Sequence, residues 1–191
     1  MLPPEGPPFT HHTSVEAGQL MDELCDAYSD AYGTVPGAGT REKSNAFRSR
    51  ATKGLRGANY SLVTARLDGE LIGFVFGYGV RPEVRWWDGL RPEPPEGFTV
   101  ETGSRTVLLA EIEVRRAWQG HGIGRTLHDA FLCRRSEERA TLASNPAATT
   151  THALYERWGW HKIGTVSGKP GSYYREYVLF MLPLPLPGVE R

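Results

Sequence analysis

The sequence has little of what would direct it to a membrane, a nucleic acid or an oxidising compartment. No stretch approaches the ~18 consecutive apolar residues that a membrane-spanning helix requires. The opening MLPPEGPPFT has neither a basic start nor an apolar core, so it does not read as a secretory signal. There is no excess charge of either sign: Lys plus Arg and Asp plus Glu both number 22. Without an overall field to gather phosphate backbones or anionic lipid, no nucleic-acid partner is expected. Cysteine is scarce, with only Cys25 and Cys133, too few for a disulfide framework and not at the close spacing of a Cys-rich metal site. His11, His12, His128, His152 and His161 stand at no metal-ligand spacing, and no metal is expected. A soluble, cytoplasmic protein is the expectation these absences leave.

What is present is a chain of 191 residues, 39% of them hydrophobic, long enough to bury one core. Pro3, Pro4, Pro7 and Pro8 predict an extended, weakly ordered lead-in over residues 1–8, and the proline-rich end reads as a tail over 184–191. One domain is expected over residues 9–183. A short strand can begin near Phe9, and apolar residues from Val15 to Ala31 recur near helical spacing, predicting a helix over Ser14 to Tyr32 stopped by Gly33 and Pro36. A second, basic helix is predicted over Thr40 to Lys53, its charge explained by a solvated face. Asp68-Gly69 suits a tight hairpin turn, so Tyr60–Leu67 and Leu71–Val80 read as paired strands. Residues 81–104, with four prolines and the pair Trp86-Trp87, read as a long irregular connection. The second half is sharper: strand Thr106–Val114, helix Gly122–Glu138, strand Ala140–Ser144, helix Ala147–Trp158 ended by Gly159, then strands His161–Val166 and Tyr174–Leu182. Strands and helices in this order indicate an α/β or α+β sandwich.

The chemistry is carried by the run Val114 to Arg125, where a strand ends and a glycine-rich turn opens directly into an amphipathic helix. Gly120, Gly122 and Gly124 let the backbone approach a ligand closely and leave successive N–H groups free to point at it, so a phosphate is the natural guest. The helix N-terminus adds its partial positive charge, and Arg125 in the first turn makes sense beside an anion. A dinucleotide-binding loop would need a third glycine where Arg125 stands. The segment resembles the acetyl-CoA loop of the GNAT superfamily, whose Arg/Gln-x-x-Gly-x-Gly/Ala pattern is met by Gln119, Gly122 and Gly124. Downstream, Tyr155-Glu156-Arg157-Trp158-Gly159-Trp160 resembles that family's Tyr-x-x-x-Gly-Phe segment. The sequence departs from the family at Arg116, where proline is frequent, and at Ala148 and Thr151, where Asn and Ala are common. Asn145 lies nearby and reads either as a cofactor contact or as a turn residue before Pro146.

The resemblance implies one domain with a mixed, mostly antiparallel sheet of six or seven strands, helices on both faces and central strands splayed around a pantetheine arm. It implies acetyl-CoA as cosubstrate, bound through Gln119, Gly120, His121, Gly122, Ile123, Gly124 and Arg125, with thioester and pantetheine contacts at Ile112 and Val114. The reaction is then direct transfer of an acetyl group to a primary amine on a small molecule or peptide, by a monomer or homodimer. Tyr155 is by resemblance the acid that protonates the departing thiolate, its phenol pKa of about 10 lying close enough to a thiol's. Alternatively it only packs the helix with Leu154 and Trp158. Glu111 and Glu113 alternate along the strand and share a face, with Ala110 and Ile112 on the other unless a bulge intervenes. Glu111 is the candidate base, directly or through water, with a salt bridge or an exposed patch as its other reading; for Glu113 the salt bridge or exposed patch comes ahead of the base, and a substrate contact stands beside them. Trp86 and Trp87 either wall an acceptor pocket for a cationic amine or anchor the long connection. A non-catalytic acyl-CoA sensor with the same fold is the other reading left open.

Overall fold

Among the described residues seven strands in the order β1-β2-β3-β4-β5-β7-β6 are threaded by five helices, and every neighbouring pair of strands but one runs antiparallel. The structure is a computed structural model that describes residues 6–33, 41–169, 172 and 174–186. Part of the expected lead-in (1–5), Pro36 and residues 187–191 of the expected tail lie outside the described residues. Two compact units are distinguishable: one runs to Tyr78 and includes Leu109–Arg134, the other holds Gly79–Leu108 and the chain from Arg135 onward.

The first unit begins with β1 (Phe9–His12), antiparallel to β2 (Ala58–Leu67) with Phe9 opposite Ala65. Helix α1 (Ser14–Gln19) is started by a capping box in which Thr13 accepts from the Glu16 amide and Glu16 accepts from the Thr13 amide. The single helix expected over 14–32 is interrupted at Leu20, whose ψ of 2° leaves the helical region, and resumes as α2 (Met21–Ala31). Gly18, the poorest helix former available short of proline, sits just before the break. Helix α3 (Arg41–Gly54) follows. The turn at Asp68-Gly69, with φ of 49° and 83°, joins β2 to β3 (Glu70–Gly79) as a hairpin.

Helices cover both faces of β3. Phe74 and Phe76 pack with Phe47 of α3 and Tyr28 of α2 in one aromatic cluster. Gly73 faces the other way, as alternation requires: a Cβ there would stand 3.0 Å from Leu127 of α4 (Ile123–Leu132) and 3.3 Å from Val114. Strand β4 (Thr106–Val114) carries a bulge. The bonds from Val80 N to Thr106 O and from Arg115 N to Ile72 O bracket eight steps of β3 against nine of β4. One extra residue reverses the alternation within β4, so Ala110 packs on the same aromatic cluster that Glu111 and Glu113 border.

In the second unit β4 pairs in parallel with β5 (Arg139–Ser144), which pairs antiparallel with β7 (Glu176–Pro183), itself antiparallel to β6 (His161–Ser167). Helix α5 (Thr149–Arg157) ends in a Schellman turn: Trp160 N bonds Tyr155 O, Gly159 N bonds Glu156 O, and Gly159 takes φ 92°. Residues 81–104 form the irregular connection the prolines predicted.

One boundary differs substantially. The helix expected over 122–138 stops at Leu132, and from Arg135 burial alternates with period two through Arg135, Glu137 and Arg139. These charges, whose composition suits a helix surface, are instead buried on a non-helical stretch that enters β5 at Arg139.

Candidate active site

The strand end that leads into the glycine turn is where the first unit gathers its ionisable groups. Glu111 and Glu113 lie on one face of β4 as expected, half-buried among side chains from α2 and α3. The Arg50 guanidinium of α3 reaches Glu111 Oε1 through Nη2 at 2.7 Å and Nε at 3.2 Å, leaving the Glu111 side chain 15% exposed. The Tyr32 hydroxyl at the end of α2 donates to Glu113 Oε1 at 2.9 Å. Arg50 also bonds the hydroxyl of Tyr28, one turn earlier on α2.

Burial acts against ionisation of both carboxyls. Desolvation pushes Glu111 up from the ordinary carboxylate value, and the Arg50 charge and hydrogen bond oppose the rise. Glu113 is pushed well above the usual range, first by desolvation and then by the neighbouring Glu111 charge, with the Tyr32 bond working the other way. The phenols respond to the same field: burial and the Glu111 charge lift Tyr28 to about 12, and the Glu113 charge with burial lifts Tyr32 further still. A carboxyl of raised pKa beside an ion pair is a candidate for proton exchange.

Beyond Val114 the chain makes a short 3-10 turn, Arg116–Trp118, and enters the glycine segment. Gly120 and Gly122 take φ of 78° and 81°, the left-handed region that favours glycine, and a Cβ at either would meet nothing within 4 Å. Open space in front of two left-handed glycines is what a group approaching the backbone needs. Gly122 caps α4 without any side-chain hydrogen bond, and the first N–H groups of a helix have no partner within it. The Gln119 side chain donates from Nε2 to Val114 O at 2.9 Å, tying the loop to the strand end, and His121 Nδ1 lies 2.9 Å from Gln119 O. Ile123 is buried, so only its backbone is available to a ligand, while Gly124 continues the helix. Arg125 is held by Asp129 one turn on, Nε to Oδ2 at 2.6 Å. The helix-start amides and the open space at the two glycines fit a diphosphate, with Arg125, paired to Asp129, in the first turn of the same helix. Ile112 and Val114 are half-buried on the same strand.

The remaining candidates belong to the second unit. Tyr155 is half-buried on α5, its ring 5.8 Å from that of Phe180 and 6.2 Å from that of Trp160. The packing role is therefore present, and it leaves a proton-donating role open. Asn145 accepts the Ala147 amide in a turn of its own. Trp87 is 5% exposed, its indole N–H on Glu101 Oε1 at 2.8 Å, and Trp86 donates to Thr141 Oγ1 at 3.2 Å. Both rings anchor the irregular connection, and both border an open cleft of about 610 Å³ formed by that connection. Among the described residues no group of three or more His, Cys, Asp or Glu could hold a metal ion, and no helix is long and apolar enough to cross a membrane.

Tyr28, Tyr32 and Arg50 were not foreseen as site residues. The tyrosines stand at i, i+4 near the end of a helix, a spacing that reads equally well as core, and Arg50 is indistinguishable in sequence from the other basic residues of α3.

Among solved structures the fold is shared with a ribosomal-protein-S18-alanine N-acetyltransferase from Escherichia coli (15% identity, 95% of this chain and 97% of that chain, TM-score 0.60). It is shared also with an aminoglycoside 6'-acetyltransferase type Ii (14% identity, 94% and 99%, TM-score 0.61). A third is a GNAT family acetyltransferase from Elizabethkingia anophelis with acetyl-CoA bound (17% identity, 93% and 97%, TM-score 0.56). The curated proteins contain no match. The sequence profile described as the acetyltransferase (GNAT) family matches residues 19–160, a span that takes in the carboxylate strand, the glycine turn and the helix of Tyr155. With the seven-stranded sheet and the strand-to-helix turn in the family's place, the chain belongs to the GNAT acetyltransferase family.

Proposed function

We propose that this protein transfers an acetyl group from acetyl-CoA to a primary amine, and that Glu113 is the base. The observation that carries the reading is the continuous segment 111–125, which joins a hydrogen-bonded carboxyl of raised pKa to a glycine turn with open left-handed positions. The amides of Gly120 to Gly124 and the Arg125 guanidinium would hold the diphosphate, and the backbone at Ile112 and Val114 would align the pantetheine arm. Acetyl-CoA supplies the thioester.

An amine reacts only as its neutral form. Glu113, above its own pKa, accepts the proton of the bound ammonium directly or through a water, and the freed lone pair attacks the thioester carbonyl. As the C–S bond breaks, the nitrogen gives up its second proton to water, and the thiolate takes a proton from the acid the family resemblance nominates, Tyr155, which recovers one from water. Glu111 contributes through its charge: the Arg50 pair opposes the rise that desolvation causes in its own pKa, while its charge helps raise that of Glu113, which thereby holds a proton more firmly and is the stronger base. This assigns to Glu113 the proton transfer that the sequence favoured for Glu111.

The test is release of free CoA from acetyl-CoA across a broad amine panel that includes diamines, aminoglycosides, amino acids and peptide N-termini. Turnover with at least one amine, lost in Glu113→Gln while calorimetric affinity for CoA persists, supports the reading. CoA binding with no turnover on any amine would favour the acyl-CoA sensor instead. No heat with CoA and no rise in melting temperature would overturn both.

A further inference from the structure

The last two turns of α2 are fastened to the strand end at three successive points. Tyr32 donates to Glu113, the Asp26 carboxylate takes Arg115 Nη2 at 2.5 Å, and the Asp30 carboxylate takes both the Arg116 amide at 2.8 Å and its guanidinium at 3.5 Å. Arg115 is held on its other side by the carbonyl oxygens of β3, Nε to Leu71 O at 2.6 Å and N to Ile72 O at 2.9 Å. Arg116 also lies against Gly33, just past α2: a Cβ there would stand 3.2 Å from Arg116 Cζ.

Arg116 is at the same time the first residue of the 3-10 turn that delivers the chain to Gly120 and Gly122. Asp30 thus grips the near end of the glycine turn, and two residues further along α2 Tyr32 grips Glu113. Of the three fastenings only Asp30 holds a main-chain donor of the turn itself, so it is the contact through which a shift of that turn must reach the helix.

We infer that Asp30 is a positioning residue that couples occupation of the glycine turn to the order of α2, and so to the Tyr32 bond on Glu113. The inference rests on the assignment of the glycine turn to the CoA diphosphate. When the turn settles on a diphosphate, Arg116 loses freedom, Asp30 is held with it, and the end of α2 that carries Tyr32 opens less often. The loss of motion is then already accounted for when the amine arrives, so cosubstrate and acceptor bind with positive coupling, each strengthening the other by the same factor.

Hydrogen exchange on the whole protein, with and without CoA, tests this without knowing the acceptor. The expected result is slower exchange both in peptides spanning residues 119–132 and in peptides spanning 21–33, the latter by about fivefold or more, the low end of ordinary coupling. In Asp30→Ala the protection of 119–132 by CoA persists while the gain in 21–33 falls to a small fraction of the wild-type value. Asp30→Asn, which keeps an acceptor for the Arg116 amide, retains an intermediate gain, and equal melting temperatures of the free variants show that folding is intact. Protection of 119–132 with none in 21–33, or a full gain in Asp30→Ala, overturns the coupling while leaving the CoA site standing. Absence of protection in 119–132 removes the CoA site, and the coupling falls with it.

Discussion

Two clusters in this molecule surround charged side chains with aromatic rings, and they differ in how completely they are closed. In the second unit Arg139 lies between Trp87 and Phe98, its guanidinium carbon 5.0 Å and 4.5 Å from the two ring centres. It bonds Glu101 Oε1 at 3.0 Å, Thr106 Oγ1 at 2.8 Å and Phe98 O at 2.7 Å. The side chains of Arg139 and Glu101 are 8% and 3% exposed. In the first unit Glu111 and Glu113 sit among Tyr28, Tyr32 and Arg50, half-buried, with one carboxyl paired to a cation and the other to a phenol. The sealed cluster matches one cation to one carboxylate and holds the 81–104 connection in place. The half-open one has two carboxyls for a single cation; both are raised, and Glu113, which lacks the cation, is raised further. Burial of charge is thus closed by pairing in one cluster and left one cation short in the other, and a carboxyl left so is a candidate for proton transfer.

The comparison breaks first, and most visibly, on the closed side. Arg139→Ala leaves Glu101 buried without its cation, and a loss of about 3–5 kcal/mol is expected in denaturant unfolding. A variant as stable as the wild type would mean the sandwich holds nothing. On the open side Glu113→Gln is expected to lower kcat by about 10²–10⁴-fold with CoA affinity retained, the size of a lost general base. An equal loss in Glu111→Gln, with Glu113→Gln active, would return the role to Glu111.

Glu111→Gln should instead cost on the order of tenfold or less, the smaller effect of removing a neighbouring charge. Its sharper signature is in the pH–rate profile. Because the Glu111 charge raises the Glu113 pKa, its removal moves the rising limb to lower pH. Tyr32→Phe moves the limb the other way, since the lost hydrogen bond had favoured the ionised carboxylate.

The smallest effect concerns stability. A carboxyl whose pKa is raised by folding contributes stability below its ordinary unfolded value, and that contribution is lost as pH rises through the raised value. Melting temperatures of the wild type should therefore decline over that window relative to Glu113→Gln, which has no proton to lose. Parallel curves for the two proteins would show that Glu113 is not perturbed.

Much of this was legible before any coordinates. Asp68-Gly69 marked the hairpin because only a few residue types tolerate two successive left-handed dihedrals, and Gly159 marked the end of α5 for the same reason. The glycine turn and the pair Glu111/Glu113 could be read from short-range pattern alone. The Thr13–Glu16 capping box is likewise a short-range pattern, Thr-x-x-Glu ahead of a helix. The stop at Leu132 was not legible because Arg135, Glu137 and Glu138 have the composition of a solvated helix, while in the fold the chain past Leu132 is non-helical and buries Arg135 and Glu137.

Local preference and the order of elements thus decided where the chain turns, which segment takes left-handed glycines ahead of a helix and that two carboxylates share a strand face. Only the tertiary structure decided which of the two is tied to a cation, because Arg50 and Tyr32 reach β4 from helices more than sixty residues away in sequence. A pKa depends on what surrounds a group in space, and no spacing along a strand contains that information.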